Sequence, residues 1–322
     1  MAKNKITLDE TVGFLKENDF YLIAAHANPD GDTLGSAYAL CFALRSMGKR
    51  AKVAMSGELP KRYAFLAEGY TEDEFEAKTV VAVDIASESL FGENSFLAER
   101  TDLCVDHHGS NSLYAERTFV DAGAAANCEN IYKIICALNV EITREIATCI
   151  YTGIATDTGC FKYSNTTRTT HEIAGEMMEL GIDFAKINYE MFDLKTKQRL
   201  EAERIFLEKI EYYFGGRCAL AVISKELVER SGIDESEFDG LSSIPRQIEG
   251  VDVGATLKER DGGYKISLRS SELIDVSEIC KAFGGGGHLR AAGCFIEGTL
   301  SEVRELLLKE IGAALAETAG EE

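Results

Sequence analysis

Four short stretches combine carboxylates and imidazoles at spacings that could hold cations. They are His26-Ala-Asn-Pro-Asp30-Gly-Asp32, Asp84, Asp106-His107-His108, and Asp157 within Thr156-Asp157-Thr158-Gly159. Each taken singly has a plain structural reading. Asp30-Gly31-Asp32 makes a good turn, an Asp closing a strand caps the helix that follows, and a His-His pair alone says little. Together they are harder to dismiss, because three of the chain's five histidines fall inside the same clusters as the acids. Carboxylates crowded into one crevice repel one another unless cations neutralise them. Oxygen and imidazole donors without thiolate suit Mn²⁺, or Mg²⁺, better than a structural zinc. Two such ions about 4 Å apart clamp the attacking and leaving oxygens of an in-line displacement at phosphorus.

These residues need elements that bring them to one edge. Tyr21–Ala25 reads as a short apolar strand running into His26, and Thr33–Met47 as a helix ended by Gly48. Lys52–Met55, Thr79–Ile85 and Asp102–Val105 read as further strands, the last two ending at Asp84 and Asp106. Asn127–Leu138 and Arg144–Ala155 look helical. Apolar strands alternating with helices imply a buried parallel sheet, and ligands of such sheets bind outside the carboxyl ends of the strands. On this reading every cluster, Asp157 included, lies at a strand end or in the turn just after it. An amphipathic helix is expected from Thr7, with Leu8, Val12 and Leu15 on one face.

The texture changes past the middle. Residues 194–215 read as a charge-dense linker helix ending at Gly215-Gly216, and 216–322 as a smaller α+β domain with strands at Cys218–Ile223 and Tyr264–Arg269. The expected organisation is therefore a parallel-sheet α/β domain over 1–193, the linker helix, and the second domain. The net charge of −20 is spread over both halves: residues 216–322 carry 12 basic against 20 acidic side chains. That argues against a basic track for long nucleic acid and for a small or short substrate. No stretch approaches a membrane span, and no leader peptide is expected. Nine scattered cysteines, an odd number with no CxxC pair, favour buried thiols in a reducing cytoplasm over disulfides or a zinc cluster.

At these same residues the chain resembles the DHH phosphoesterase superfamily, through HANPDGD (26–32), VAVD (81–84), VDHH (105–108) and TDTG (156–159). Its tail, SLRS (267–270) and GGGGHLRAAG (284–293), resembles the DHHA1 domain that follows the DHH domain. The resemblance implies two metal sites: His26 and Asp30 on one ion, Asp32, His107 and Asp157 on the other, and Asp84 bridging them. It implies that Asp106 orients His107, and that His108 meets the scissile phosphate and helps protonate the leaving group. In the second domain Arg269, Gly285, Gly286, Gly287, His288 and Arg290 are the expected substrate contacts. One departure is Ala124-Ala125-Ala126-Asn127, where the family often carries Ser or Thr; no hydroxyl contact is expected there. The implied substrates are short oligoribonucleotides and 3′-phosphoadenosine 5′-phosphate, with cyclic or linear dinucleotides as the rival and a catalytically silent nucleotide sensor as the alternative from another class. A homodimer is compatible with all of these.

Overall fold

The computed structural model describes residues 4–271 and 274–318, with His288 described by its backbone alone. Its elements, in chain order, are α1 (Leu8–Glu17), β1 (Tyr21–Ala24), α2 (Gly31–Ser46), β2 (Ala51–Ala54), β3 (Thr79–Val83), β4 (Leu103–Asp106), β5 (Arg117–Val120), α3 (Asn127–Ala137), α4 (Arg144–Asp157), α5 (Arg168–Glu179), α6 (Phe184–Asn188), α7 (Lys197–Glu208), β6 (Glu211–Tyr213), β7 (Cys218–Ile223), α8 (Lys225–Ser231), β8 (Val253–Arg260), β9 (Gly263–Ser270), α9 (Val276–Lys281), β10 (Gly286–His288), β11 (Ala291–Glu297) and α10 (Leu300–Thr318). The chain divides into two compact units, Met1–Leu194 and Lys195–Glu322.

The first unit is a five-stranded sheet in the order β2-β1-β3-β4-β5, parallel throughout. Its strands are apolar on both faces because both faces are covered. Ile23, Val81, Val83, Leu103 and Val105 point into the larger core, against α2, α3 and α4. Ala24, Ala82 and Cys104 alternate to the other face, under Phe91 and Leu97. β1 has β2 on one side and β3 on the other, so the winding direction reverses between β1 and β3. Such a reversal opens a crevice at the carboxyl edge of the sheet. Glycines set how closely α2 and α4 approach. A Cβ on Gly31 would stand 2.5 Å from Thr156 Oγ1, and one on Gly35 2.5 Å from the Cys149 carbonyl oxygen.

The second unit is a six-stranded sheet in the order β10-β11-β9-β8-β7-β6, antiparallel except for the β7–β8 pair. Ile279, Val303, Leu307 and Ile311 of α9 and α10 pack in one core with Leu257, Ile266 and Leu268 of the sheet. Ala202 and Phe206 of α7 pack with Ala221 and Ile223 of β7.

One expectation is corrected here. The linker helix expected over 194–215 is helical over Lys197–Glu208, and Glu211–Tyr213 pairs antiparallel with Cys218–Leu220 as an edge strand. Gly215 and Gly216 close that hairpin at φ of 67° and 97°, values that glycine adopts without a Cβ penalty. The helix itself, through Phe206, belongs to the core of the second unit. Gly286–His288 pairs with Ala291–Gly293 as an edge strand. Among the described residues no helix is long and apolar enough to cross a membrane.

Candidate metal centre

β1, β3 and β4 are neighbours in the sheet, so the residues following them meet at one edge. His26 follows β1, Asp84 follows β3, and Asp106-His107-His108 closes β4. Asp30 is the N-cap of α2; its Oδ1 accepts from the backbone N–H groups of Asp32 and Thr33 at 3.1 and 3.0 Å. The capping role and a place at the site thus coexist in one carboxylate. Asp157 arrives differently from what the sequence implies: it is the last residue of helix α4, not a strand-end residue.

Three groups of possible ligand atoms result: Asp84–His107–His108, and two that share no residue, His26–Asp30–Asp84 and Asp32–His107–Asp157; in each the atoms lie within 4.8 Å of one another. His26 Nε2 lies 3.8 Å from both Asp30 Oδ1 and Asp84 Oδ2. His107 Nε2 lies 3.8 Å from Asp32 Oδ2, 3.3 Å from Asp157 Oδ2 and 3.6 Å from Asp84 Oδ1. Most of these separations exceed hydrogen-bond length, whereas ligands about 2.1 Å from a common ion stand roughly 3–4 Å apart. Asp84 contacts both of the groups that share no residue. Its Oδ1 and His107 Nε2 are buried and have no hydrogen-bond partner among the described residues. Two buried polar atoms facing each other unsatisfied are costly, and a cation between them would satisfy both. The donor set therefore fits a divalent metal.

The electrostatics agree. Burial, then the carboxylates of Asp32, Asp30 and Asp157, push the Asp84 carboxyl well above its ordinary range. Burial, then Asp32 and Asp30, push Asp157 up to about 9. An acid at a helix C-terminus also opposes the helix dipole, which adds to the case for a cation beside Asp157. Burial raises Asp32 too, against His107 and the backbone N–H groups of Cys128 and Asn127. Burial lowers His26, which favours the neutral ring that a metal requires.

Orientation comes from behind each ligand. Asp32 is fully buried, and its two oxygens accept from Asn127 N at 2.6 Å and Cys128 N at 2.9 Å. It thereby caps α3, whose own N-cap, Ala126, offers no side-chain cap. The run of alanines lacks the family's hydroxyl but leaves this helix end satisfied. His107 Nδ1 meets the Ala124 carbonyl at 3.2 Å, so Nδ1 carries the proton and the Nε2 lone pair is left for a metal. This corrects the expected role of Asp106. Its Oδ1 receives His108 Nδ1 at 2.8 Å and makes no bond to the His107 ring; His107 Nδ1 is held instead by Ala124. Asp106 stays below its usual range because, against burial, hydrogen bonds from His108 and Asn111 hold it ionised. The same bond raises His108. A cleft of about 240 Å³, lined by His26, Asp30, Asp84, His108 and Asp157 among others, opens onto these groups.

Asp84 has φ of 58°, a left-handed conformation that L side chains rarely adopt and that clusters at functional sites. Neither that strain nor the backbone donors behind Asp32 had a sequence signal. In the second unit Arg269 is half-buried on β9, opposite Ala291 of β11, and Arg290 is exposed. Gly285 and Gly287 approach the backbone of β11 closely, a Cβ on either falling within 2.3–2.5 Å of a carbonyl oxygen. The His288 side chain lies outside the described residues.

Acids and histidines converging at the switch point of a parallel sheet define a DHH-type phosphoesterase. The chain matches the DHH family, N-terminal domain, over residues 21–154 and the DHHA1 domain over residues 217–317. It is 32% identical, across 90% of its length and 88% of the relative's, to the bifunctional oligoribonuclease and PAP phosphatase NrnA of Thermus thermophilus. The crystal structure of an exopolyphosphatase-related protein from Bacteroides fragilis superposes with a TM-score of 0.85 at 25% identity, covering 97% of both chains. RecJ of Thermus thermophilus in complex with Mn²⁺ shares the fold at a TM-score of 0.55 and 14% identity, with 97% of this chain and 54% of that one covered. The chain belongs to the DHH–DHHA1 family and is a metal-dependent phosphoesterase.

Proposed function

We propose that the chain hydrolyses short oligoribonucleotides and 3′-phosphoadenosine 5′-phosphate, using two divalent cations, Mn²⁺ by preference and Mg²⁺ as substitute. The observation that carries the reading is Asp84, whose carboxylate contacts both ligand groups and whose Oδ1 is left unsatisfied facing His107 Nε2. The substrate class is supported by the name of the Thermus thermophilus relative and by the acidic surface, which disfavours long strands.

His26 and Asp30 would hold one ion, Asp32, His107 and Asp157 the other, with Asp84 shared. Bound there, the cations would supply an activated water and neutralise charge developing on the phosphate. The Asp106 carboxylate that holds His108 at Nδ1 favours the charged ring, and in that form the other ring nitrogen would carry a proton for the leaving oxygen. In the second unit Arg269, the backbone of Gly285–Gly287, His288 and Arg290 would hold substrate groups remote from the scissile phosphate, Arg269 by a charged fork. Nine free thiols, seven of them buried, support a cytoplasmic setting.

The test is a panel assayed with Mn²⁺: 3′-phosphoadenosine 5′-phosphate, RNA of two to five nucleotides, a cyclic dinucleotide, pyrophosphate and a long RNA. The first two should be turned over fastest, and chelation should abolish turnover. Preference for the cyclic dinucleotide would transfer the protein to the rival class, and undiminished activity in excess EDTA would remove the metal mechanism. Gel filtration reads the homodimer.

A further inference from the structure

The turn after His108 leads back to the site through Asn111. Its Nδ2 donates to Asp106 Oδ2 at 2.6 Å and to the Ile85 carbonyl at 3.3 Å, and its Oδ1 accepts from Leu113 N at 2.8 Å. A backbone N–H can only donate and a carbonyl can only accept, so these neighbours fix which way the amide points. Flipped, it would set donor against donor at Leu113 and acceptor against acceptor at Asp106 and Ile85.

The bond to Leu113 is an ordinary Asx-turn and needs nothing but a turn. The bond to Asp106 does more. Asp106 is fully buried, and its Oδ1 already accepts from His107 N at 2.8 Å, His108 N at 3.2 Å and His108 Nδ1 at 2.8 Å. Among the described residues, Asn111 supplies the one hydrogen bond to Oδ2. Without it Oδ2 would be a buried carboxylate oxygen with no partner, a cost that favours displacement of Asp106 toward another donor and so loosens the partner of the His108 ring.

We propose that Asn111 is a positioning residue for hydrolysis: through Asp106 it holds the His108 imidazole in the orientation that delivers a proton to the leaving oxygen. The proposal rests on the reading of His108 given above.

Two variants separate this role from the turn. Asn111→Ser keeps a side-chain oxygen that can close a similar turn, yet is too short to reach Asp106. Asn111→Leu loses both interactions. Each is assayed as the full chain, saturated with Mn²⁺, on a dinucleotide, whose leaving group is a ribose alkoxide needing a proton, and on a nucleotide p-nitrophenyl ester, whose leaving group departs without one. Both variants should lose about 10- to 100-fold in kcat on the dinucleotide. They should lose under about threefold on the ester, because a proton donor contributes little there. KM should stay within about twofold, since the contact is not to substrate. His108→Ala should show the same dependence on leaving group, and adding Asn111→Ser to it should cost nothing further. Equal losses on both substrates, no loss in Asn111→Ser, or losses that add to those of His108→Ala would each overturn the role of Asn111. A His108→Ala protein indifferent to the leaving group would overturn the reading of His108 itself, and the proposal with it.

Discussion

Replacing Asp84 by Asn should stabilise the metal-free protein and remove its response to metal. Asn suits the position because it tolerates the left-handed backbone that Asp84 occupies at φ of 58°, so the change isolates charge. Atoms of Asp84 and Asp30 lie within 4.8 Å of each other. At an effective dielectric of about 20 that separation corresponds to a repulsion of roughly 3 kcal/mol. Without a cation the protein bears this either as repulsion or as the work of protonating a buried carboxyl. For a unit of this size, about 3 kcal/mol corresponds to roughly 6–12 °C in melting temperature. Mn²⁺ at about 100 times its Kd should raise the wild type by about 2.7 kcal/mol, a similar interval. The order of melting temperatures should therefore depend on metal: Asn above Asp in EDTA, with the gap closing or reversing in Mn²⁺. Differential scanning fluorimetry of both proteins at pH 7.5, with EDTA and across a Mn²⁺ titration, measures all four values. If Asp84→Asn melted at or below wild type in EDTA, or if Mn²⁺ stabilised both equally, the carboxylate would not be a shared ligand under electrostatic strain.

The same crowding predicts a pH dependence. A carboxyl whose folded pKa is raised favours the folded state fully below its unfolded pKa, near 4, and that contribution is lost as pH rises through the folded value, about 9 for Asp157. The metal-free protein should accordingly melt lower at pH 8.5 than at pH 5.5, and saturating Mn²⁺ should flatten the difference; a metal-free profile already flat over that range would contradict the charge cluster. Gly153→Ala should cost about 1–3 kcal/mol and weaken Mn²⁺ binding, because the added Cβ would stand 2.2 Å from Cys128 Sγ and 2.7 Å from Asp32 Oδ1; unchanged melting and metal titration would show that α2 and α4 have slack there. Arg269→Ala should raise KM for a dinucleotide about 10- to 100-fold and leave a generic p-nitrophenyl diester unaffected, whereas equal impairment of both would remove the second unit from substrate recognition.

The chain's local chemistry was legible without coordinates. Apolar runs of alternating strand and helix determine a parallel sheet, and a parallel sheet dictates that residues just past β1, β3 and β4 share an edge, so His26, Asp84 and His107 could be assigned to one crevice from their place in the chain. Tertiary structure decided what depends on the direction of a side chain. His107 and His108 are adjacent, and a single backbone step turns one toward Ala124 and the other toward Asp106; no spacing rule distinguishes them, which is why Asp106 could be matched with the wrong ring. Asp157 reached the site from the end of α4 because close packing of α2 on α4, through Gly31, Gly35 and Gly153, brings that end to the strand edge. Asp32 found its hydrogen-bond partners at the start of α3, 95 residues further along the chain. Asn111, read locally, is a turn residue like many others. Sequence thus settled which groups are available, since that follows from residue type and strand periodicity, while the pairing of those groups waited on packing contacts between segments remote in sequence, which no local pattern encodes.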